Sequence, residues 1–305
     1  MKREFMVKAI SEYPEKIWDV VIIGGGATGL GAAVDATTRG YSTLLLEQAD
    51  FAKGTSSRST KLVHGGVRYL AQGDVSLVLE ALHERGLLRQ NAPHLVKNLA
   101  FVIPNYEWWS GPFYAIGMKV YDMMAGKLGL GPSEMISKEE TIEAIPNIRT
   151  NGLRGGVIYY DGQFDDSRLA INLAQTFSKN NGTLANYFKV TGLLKSDELI
   201  SGVKATDLES GTEHQIKARS VVNATGVFAD EIREMDDPNH PRSIRPSQGV
   251  HLVLEAEFLK GDSAMMIPKT DDDRVLFAVP WHNRVIVGTT DTPRDHAELE
   301  PKALD

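Results

Sequence analysis

Residues 17–47 read IWDVVIIGGGATGLGAAVDATTRGYSTLLLE, and this stretch decides the fold. It opens with an apolar run rich in β-branched residues, passes through a glycine cluster into a helix-like segment at 27–39, and closes with an apolar run at 42–47. Gly24, Gly26 and Gly29 have the spacing G-x-G-x-x-G between the first run and the helix. A strand, a tight turn, a helix and a second strand in this order predict a Rossmann-like unit that binds a dinucleotide.

The glycines and the acidic residue after the second strand each have a physical role in such a unit. Gly24 permits the tight turn, Gly26 lets a pyrophosphate approach the backbone, and Gly29 lets the helix and the strand pack closely. The helix N-terminus offers backbone N–H groups and the positive end of its dipole to the phosphates. Glu47 stands about 20 residues beyond the glycines, where a carboxylate accepts hydrogen bonds from ribose hydroxyls. A chance glycine-rich turn is the alternative, and the complete order of elements disfavours it.

The loop after the second strand selects between flavin and nicotinamide dinucleotides, which share an ADP moiety. Residues 54–70, GTSSRSTKLVHGGVRYL, combine small hydroxyl side chains with cations. A solvated loop is the ordinary interpretation of such a stretch. Directly after a dinucleotide-binding strand, however, these side chains can donate hydrogen bonds to phosphates and to the edge of a flavin, so the sequence predicts FAD. The residues predicted to bind it here are Gly24, Gly26, Thr28, Gly29, Glu47, Thr55, Ser56, Ser57, Ser59, Lys61 and Leu62.

The composition limits the possible classes of function. The chain has 305 residues, 42% of them hydrophobic, and a formal net charge of -7. This charge disfavours a nucleic-acid partner that binds through a broad basic surface. The absence of cysteine excludes disulfides, thiolate catalysis and Cys-ligated metal centres, and no metal site is predicted. It also fits a reducing compartment, so we expect a cytoplasmic location.

Membrane contact is expected, if anywhere, at the surface of the bilayer. The sequence has no run of the roughly 18 to 20 apolar residues that a spanning helix needs, and residues 1–19 lack the apolar stretch of a secretory signal. The candidate for peripheral contact with the cytoplasmic membrane is the aromatic-rich stretch 106–124, with Trp108, Trp109, Phe113 and Tyr121. Packing in the interior or at a domain interface is the alternative interpretation.

The rest of the chain predicts a second domain. An apolar strand at 221–222 ends at Ala224, Thr225 and Gly226, small residues that permit close approach of a ligand, although a plain strand end is the alternative. From residue 247 onward, short strands separated by turns predict an antiparallel sheet. We therefore predict an α/β protein with a Rossmann-like, glutathione-reductase-like FAD-binding domain and a second, largely antiparallel β substrate domain. The predicted bounds are 1–16 for an N-terminal tail, 17–92 and 162–245 for the FAD-binding domain, and 93–161 and 246–305 for the substrate domain.

Several long motifs carry a resemblance to a known family. They are residues 24–40, residues 54–70, YYDGQFDDSRL at 159–169, VVNATGVFAD at 221–230 and VGTTDTPRD at 287–295. From about Trp18 to Arg294 the sequence closely resembles the FAD-dependent glycerol-3-phosphate dehydrogenases, particularly the mitochondrial type. The resemblance implies oxidation of sn-glycerol 3-phosphate to dihydroxyacetone phosphate, with reduction of FAD and transfer of the electrons to a membrane quinone.

The resemblance also implies roles for individual residues. Arg68 and Tyr69 match a substrate-facing pair of the family, and an arginine suits a phosphate because its planar fork binds two oxygens. His251 matches an active-site histidine that could accept the hydroxyl proton. His64 is a second candidate for this role, but we expect it to support the flavin loop instead. The turn at 224–226 lies near the nucleotide in the family. A structural ion pair for Arg68 and a structural role for either histidine are the alternatives.

The sequence also departs from the family. The family continues with a G-x-R-P segment and a G-G-K-x-T-T-x-R segment that are absent from these 305 residues. We therefore expect a C-terminally truncated chain with an incomplete substrate domain and impaired FAD retention and turnover. An amino-acid or 2-hydroxy-acid oxidase of the same flavoprotein class and an inactive FAD-binding fragment are the alternative functions.

Overall fold

The computed structural model describes residues 2–67, 69, 73–108, 110–270 and 274–303. They form two compact units, each discontinuous in sequence. Unit 1 comprises Met1–Ser59, Asp166–Ser247 and Pro293–Asp305, and unit 2 comprises Thr60–Asp165 and Gln248–Thr292.

The described residues form helices and strands that are numbered in chain order. The helices are α1 (Arg3–Ser11), α2 (Ala27–Thr38), α3 (Val75–Asn91), α4 (Ser110–Ala125), α5 (Lys138–Ala144), α6 (Asp166–Lys179) and α7 (Ala229–Asp236). The strands are β1 (Ile17–Ile23), β2 (Thr43–Leu46), β3 (Leu62–Val63), β4 (Val96–Asn105), β5 (Glu134–Ile136), β6 (Gly155–Phe164), β7 (Thr183–Ala185), β8 (Phe188–Ser196), β9 (Leu199–Asp207), β10 (Glu213–Asn223), β11 (Ser247–Gln248), β12 (Leu252–Glu255), β13 (Ala264–Ile267), β14 (Leu276–Trp281), β15 (Arg284–Gly288) and β16 (Thr292–Pro293).

Unit 1 is built on a six-stranded sheet with the strand order β7-β2-β1-β10-β9-β8. The first four strands of this order run parallel, and the last three pair antiparallel. Strand β1 lies between β2 and β10, with Val21 aligned to Leu44 and to Val221. Parallel strands covered on both faces are continuous apolar runs, which explains why all four residues of β2 are apolar or small and buried.

Side chains of β1 and β2 alternate between two cores, one on each face of the sheet. Ile22 and Leu45 pack against Leu30 of α2 and Phe177 of α6. The neighbouring side chains of both strands point to the opposite face, where they join a core that contains Ile10 of α1. Part of the predicted N-terminal tail is therefore a docked helix.

Unit 2 is built on an eight-stranded sheet in which the order β12-β15-β14-β13-β4-β6-β3 is completed by β5, paired to β6. Of the strand pairs described, β13 and β4 are parallel and the others are antiparallel. Helices α3 and α4 cover the sheet and bury Leu82 and Tyr121 against Phe101 and Tyr159. The predicted fold class, a parallel dinucleotide-type sheet with a second and largely antiparallel sheet, is confirmed.

The unit boundaries differ from the predicted domain boundaries. Residues 60–92, predicted to belong to the FAD-binding domain, lie in unit 2, because β3 pairs with β6 and α3 packs on the same sheet. Residues beyond 292 lie in unit 1, where Arg294 N–H donates to Pro246 O at 2.9 Å. Both differences depend on contacts between residues far apart in sequence, which local patterns do not report. Within the described parts of the chain, every helix is too short or too polar to span a bilayer.

Candidate functional site

The turn between β1 and α2 is too closely packed for any residue larger than glycine at two positions. Gly24 has a φ of +111°, and a Cβ there would lie 2.4 Å from the carbonyl oxygen of Ala224. A Cβ at Gly29 would lie 2.0 Å from the carbonyl oxygen of Gly24. Backbone hydrogen bonds from Gly24 N–H to Leu46 O and from Ala224 N–H to Ile23 O, both 2.8 Å, hold the turn against the neighbouring strand ends.

Glu47, at the end of β2, binds the same turn. Its Oε2 accepts a hydrogen bond from Gly25 N–H at 2.6 Å, and its Oε1 accepts one from Ala49 N–H at 2.8 Å. The sequence predicts a contact between Glu47 and a ribose, and the structure adds a second function, which is to hold the glycine backbone in place. Each carboxylate oxygen has a second lone pair, so acceptor capacity for ribose hydroxyls remains.

Ser56 caps helix α2 from outside the helix. It lies in the short 3-10 turn Thr55–Ser57, and its Oγ accepts a hydrogen bond from Ala27 N–H at 2.9 Å. Gly26 occupies the N-cap position and has no side chain to make this bond itself. A Cβ at Gly26 would lie 3.1 Å from Ser56 Oγ, so the glycine leaves the space that the serine uses. The hydroxyl-rich loop is therefore hydrogen-bonded to the N-terminus of α2.

Two other residues of this loop that were predicted to bind the cofactor, Ser57 and Ser59, do not line the cleft at the carboxyl ends of β1, β2 and β10. Ser57 Oγ donates to Gly54 O at 3.5 Å. Ser59 donates from its backbone N–H and its hydroxyl to Asp166 Oδ2, at 3.1 and 2.7 Å, and Asp166 is the first residue of α6. The hydroxyl of Ser59 thus joins the loop to a helix terminus.

Lys61 and Leu62, also predicted to bind the cofactor, belong to unit 2. Lys61 has a φ of +63°, and its carbonyl oxygen accepts a hydrogen bond from Phe164 N–H at 3.0 Å. Leu62 lies in β3, opposite Gln163 of β6.

Unit 1 contains a cleft of about 550 Å³ at the carboxyl ends of β1, β2 and β10. This is the edge of a parallel sheet at which doubly wound folds bind nucleotides. The predicted residues that line it are Gly24, Gly26, Thr28, Glu47, Thr55, Ser56, Ala224, Thr225 and Gly226. Sequence analysis missed the apolar and charged wall from β8, α7 and the neighbouring loops, which comprises Lys53, Phe188, Lys189, Val190, Glu231, Ile232, Met235, Ile244 and Leu299. No local motif marks those positions, since they reach the cleft through the strand order of the sheet.

Two cations near the cleft share one carboxylate. Lys53, which lines the cleft, and Arg58 both bind Glu300, with Arg58 Nη2 3.0 Å from Glu300 Oε2. Hydrogen bonds from Lys53 and then Arg58 lower the pKa of Glu300 from its ordinary value. Arg58 also donates to Leu299 O at 3.2 Å, which brings Leu299 to the cleft.

Unit 2 contains a separate cavity of about 200 Å³. It brings together three residues that the sequence singled out, His64, Tyr69 and Leu62, with Thr60 and Asp161. His64 is exposed, and its Nδ1 accepts a hydrogen bond from Gly66 N–H at 3.1 Å. The volume is below the ~300–1,000 Å³ of sites for drug-sized ligands, so the cavity suits a small molecule.

His251 lies close to this cavity, in the same unit. Its Nε2 is 2.8 Å from Thr60 Oγ1, and Thr60 lines the cavity. Partial burial, with a smaller contribution from the positive charge of Lys61, lowers the pKa of His251 from its ordinary value. An imidazole in this setting stays neutral near neutral pH and can accept a proton.

Arg68 lies outside the described residues. Its neighbour Tyr69 is partly buried, and Tyr69 N–H donates to Gly66 O at 2.8 Å. Of the predicted Arg68–Tyr69 pair, the structure therefore describes Tyr69 alone.

Sequence analysis also missed a buried charged network next to the unit 2 cavity. The side chains of Arg85 and Asp161 are 1% and 3% exposed, and Arg85 Nη1 lies 2.9 Å from Asp161 Oδ1. Tyr121 donates its hydroxyl hydrogen to Asp161 Oδ2 at 2.8 Å. Burial, and then the negative charge of Asp161, raise the pKa of Tyr121 well above its ordinary value, so it remains a donor.

A comparison with protein-family models identifies the family of this chain. The model described as FAD dependent oxidoreductase matches residues 19–305. The chain belongs to the FAD-dependent oxidoreductase family. The match covers both units, including the glycine turn, Glu47 and the unit 2 cavity.

Similar proteins have more specific names. The chain is 45% identical to the mitochondrial glycerol-3-phosphate dehydrogenase of Schizosaccharomyces pombe, over 98% of this chain and 48% of that protein. It is 42% identical to the mitochondrial enzyme of Mus musculus, over 96% of this chain and 42% of that protein. A solved structure of glycerol-3-phosphate dehydrogenase from Bacillus halodurans, complexed with FAD, matches with a TM-score of 0.78 and 33% identity, over 97% of this chain and 52% of that one. The chain spans about half the length of these relatives.

The residues of the unit 1 cleft fit the ADP portion of FAD. Gly24 and Gly26 line the cleft without side chains, close packing against backbone excludes a Cβ at Gly24, and the N-terminus of α2 provides the favourable end of a helix dipole. Glu47 supplies acceptor oxygens at the end of β2, where the family fold places a ribose. The volume of about 550 Å³ lies within the usual range of ligand sites.

Proposed function

We propose that the chain binds FAD in the unit 1 cleft and oxidises sn-glycerol 3-phosphate to dihydroxyacetone phosphate. The observation that carries the substrate assignment is 45% identity over 98% of the chain to a mitochondrial glycerol-3-phosphate dehydrogenase. The cleft itself supports FAD binding but not the substrate, because many flavoenzymes share the same nucleotide-binding architecture. When bound, FAD would supply the acceptor for the two electrons that leave the alcohol carbon.

The cofactor would be held by groups that the structure brings to one edge of the unit 1 sheet. The N-terminus of α2 at Gly26, which lines the cleft, would receive the pyrophosphate, and Glu47 would accept hydrogen bonds from the ribose. Ser56, which already accepts a hydrogen bond from Ala27 N–H, keeps its hydroxyl hydrogen for a phosphate oxygen. Predicted contacts of Lys61 and Leu62 with FAD remain proposals.

Proton removal from the substrate hydroxyl is proposed for His251. If Nε2–H donates to Thr60 Oγ1 across the observed 2.8 Å, then Nδ1 is the basic nitrogen of the neutral ring and accepts the proton. The lowered pKa keeps that nitrogen free of a proton near neutral pH. With this tautomer, the contact with Thr60 orients the ring. His64 is proposed to support the loop rather than to accept the proton.

The substrate phosphate requires a cation, and Arg68 with Tyr69 is proposed for this role on the resemblance to the family. Arg68→Ala should raise the KM for glycerol 3-phosphate while FAD remains bound. Loss of FAD from this variant would instead assign Arg68 to the scaffold of the cofactor site.

A membrane quinone is the proposed electron acceptor, with peripheral contact at the cytoplasmic membrane and an otherwise cytoplasmic location. Helix α4 supports this contact because its two faces differ. Phe113, Ile116 and Met123, at helical spacing, are 62%, 68% and 74% exposed, whereas Met118 and Tyr121 are buried in unit 2. Trp109, which was part of the prediction, lies outside the described residues.

Vesicle flotation tests the membrane contact. The protein should float with lipid vesicles, and a variant with serine at positions 113, 116 and 123 should not. Equal flotation of the two proteins would remove α4 as the contact surface.

Anaerobic flavin bleaching tests the proposed reaction. The FAD-loaded protein should lose its flavin absorbance on addition of glycerol 3-phosphate and should keep it with glycine, sarcosine or 2-hydroxyglutarate. Bleaching by one of the last three compounds would favour the oxidase alternative. Retention of the absorbance with every substrate would favour an inactive FAD-binding chain.

A further inference from the structure

The buried network of Arg85, Asp161 and Tyr121 joins three elements of unit 2. Arg85 comes from α3, Tyr121 from α4 and Asp161 from β6. The carboxylate accepts from Arg85 Nη1 at 2.9 Å, from Tyr121 Oη at 2.8 Å and from Gly162 N–H at 3.0 Å. A buried ion pair that replaces hydrophobic residues seldom adds stability, so its presence calls for another reason, such as the specification of one geometry.

The network lies directly beside the loop that carries His64. A Cβ on Gly65 would lie 2.4 Å from Tyr121 Oη and 2.3 Å from Leu82 Cδ2. Gly65 therefore rests on the hydroxyl whose position the carboxylate of Asp161 fixes. Since the hydroxyl is bonded to a fully buried acceptor, it cannot rotate or move away without loss of that bond.

The position of Gly65 in turn affects two residues of the unit 2 cavity, His64 and Tyr69. The next residue, Gly66, donates its N–H to His64 Nδ1 at 3.1 Å and accepts a hydrogen bond from Tyr69 N–H at 2.8 Å. Asp161 itself lines the cavity, together with His64 and Tyr69. The contacts thus run without a gap from the buried ion pair through Gly65 and Gly66 to the side chain of His64 and the backbone of Tyr69.

We propose that the Arg85–Asp161–Tyr121 network positions His64 and Tyr69 for substrate binding. The network acts through the backbone of Gly65 and Gly66. Arg85 and Tyr121 are positioning residues, which do not touch the substrate. The inference rests on the proposed function, because the ligand of the cavity is taken to be glycerol 3-phosphate.

Tyr121→Phe tests the proposal with a small change. It removes the hydroxyl on which Gly65 rests and keeps the ring in the core. The matched control is Tyr160→Phe, which removes a hydroxyl from the residue before Asp161 on the same strand, where alternation points the side chain to the opposite face of the sheet, against Gly131. Both variants are compared with the wild type in FAD content, in KM and kcat for glycerol 3-phosphate, and in the NMR signal of the His64 ring labelled with 13C at Cε1.

Tyr121→Phe is expected to retain FAD, to raise KM on the order of 10-fold or more with a smaller change in kcat, and to shift the His64 signal. Tyr160→Phe should match the wild type in all three. If Tyr121→Phe does not fold, Gly65→Ala displaces the same loop without removing a partner of the ion pair and should give the same results. An unchanged KM and an unchanged His64 signal in the folded variant would overturn the proposal.

The two readouts separate this inference from the proposed function. If the wild-type flavin is not reduced by glycerol 3-phosphate, the proposed function fails, and the His64 signal alone then decides the positioning role. If the wild type is active and Tyr121→Phe lowers only kcat or only the midpoint of thermal unfolding, the network is a structural support and not a positioning device.

Discussion

Replacement of Gly29 by alanine tests the architecture of the cofactor cleft at a single atom. The added Cβ would lie 2.0 Å from Gly24 O, whereas ordinary contacts begin at 3.4 Å. The obstacle is backbone, which cannot rotate aside as a side chain can. The glycine turn and α2 must therefore separate by about 1.4 Å, the difference between these two distances. Such a shift would move the backbone N–H groups away from the phosphates.

Gly31→Ala is the matched control, because Gly31 lies in the same helix and a Cβ there would meet nothing within 4 Å. Both substitutions gain about 1 kcal/mol from the better helix propensity of alanine. Overpacking costs about 1–3 kcal/mol and applies to Gly29→Ala alone. The difference in the free energy of unfolding between the two variants therefore measures the clash, and we expect about 3 kcal/mol because the neighbour is backbone.

Gly29→Ala should also weaken FAD binding. A displacement above 1 Å takes a hydrogen bond of about 2.9 Å beyond the 3.5 Å at which the interaction is lost. Loss of one charge-assisted bond is worth about 1.5–3 kcal/mol, or roughly 10- to 100-fold in Kd. Urea unfolding of the FAD-free proteins and titration of flavin fluorescence measure the two effects. Wild-type FAD affinity in Gly29→Ala, with stability equal to that of Gly31→Ala, would refute the close approach of turn and helix.

Three further predictions follow from individual contacts. Ser56→Ala should weaken FAD binding by about 10-fold, whereas Ser59→Ala should keep FAD affinity and lower the free energy of unfolding by about 1 kcal/mol. Calorimetry measures FAD binding, and urea unfolding measures stability. Equal losses of FAD affinity in the two variants would contradict the different roles of Ser56 and Ser59. Glu47→Gln should weaken FAD binding by about 10-fold or more, because an amide NH₂ would face a backbone N–H donor; retention of wild-type affinity in a fluorescence titration would count against the role of Glu47. Burial and then Lys61 lower the pKa of His251 below its ordinary 6.5, so the ring stays neutral as the pH falls through 6.5. The rate of flavin reduction by glycerol 3-phosphate should therefore decline only below that pH in a stopped-flow profile. An acid limb at or above 6.5 would contradict a proton acceptor with a lowered pKa, and an unchanged rate in His251→Asn would remove His251 from the mechanism.

Local patterns predicted the first βαβ segment closely. The apolar run at 17–23 coincides with β1, and the helix predicted at 27–39 is α2, which ends one residue earlier. Three local signals explain this success: a β-branched run, a glycine spacing that serves one turn, and an acidic residue at a strand end. Each depends on neighbours within about one element, so each is readable from sequence.

The network around Arg85 could not be predicted in this way. Arg85 stands in the polar sequence HERG of α3, and an arginine at such a position is usually exposed. It is buried because Asp161, 76 residues further along the chain, supplies the opposite charge. The placement of residues 60–92 in unit 2, rather than in the predicted FAD-binding domain, escapes local patterns for the same reason, since it depends on the pairing of β3 with β6.

The hydroxyl-rich loop shows why composition alone cannot separate ligand donors from structural bonds. A hydroxyl has one hydrogen to donate and two lone pairs to accept. Ser59 donates its hydrogen to the carboxylate of Asp166 at 2.7 Å, so none is left for a phosphate oxygen. Ser56 uses a lone pair to accept from Ala27 N–H at 2.9 Å and keeps its hydrogen. The same residue type in the same loop is therefore a structural donor at position 59 and the proposed phosphate donor at position 56, and the direction of one hydrogen bond separates the two.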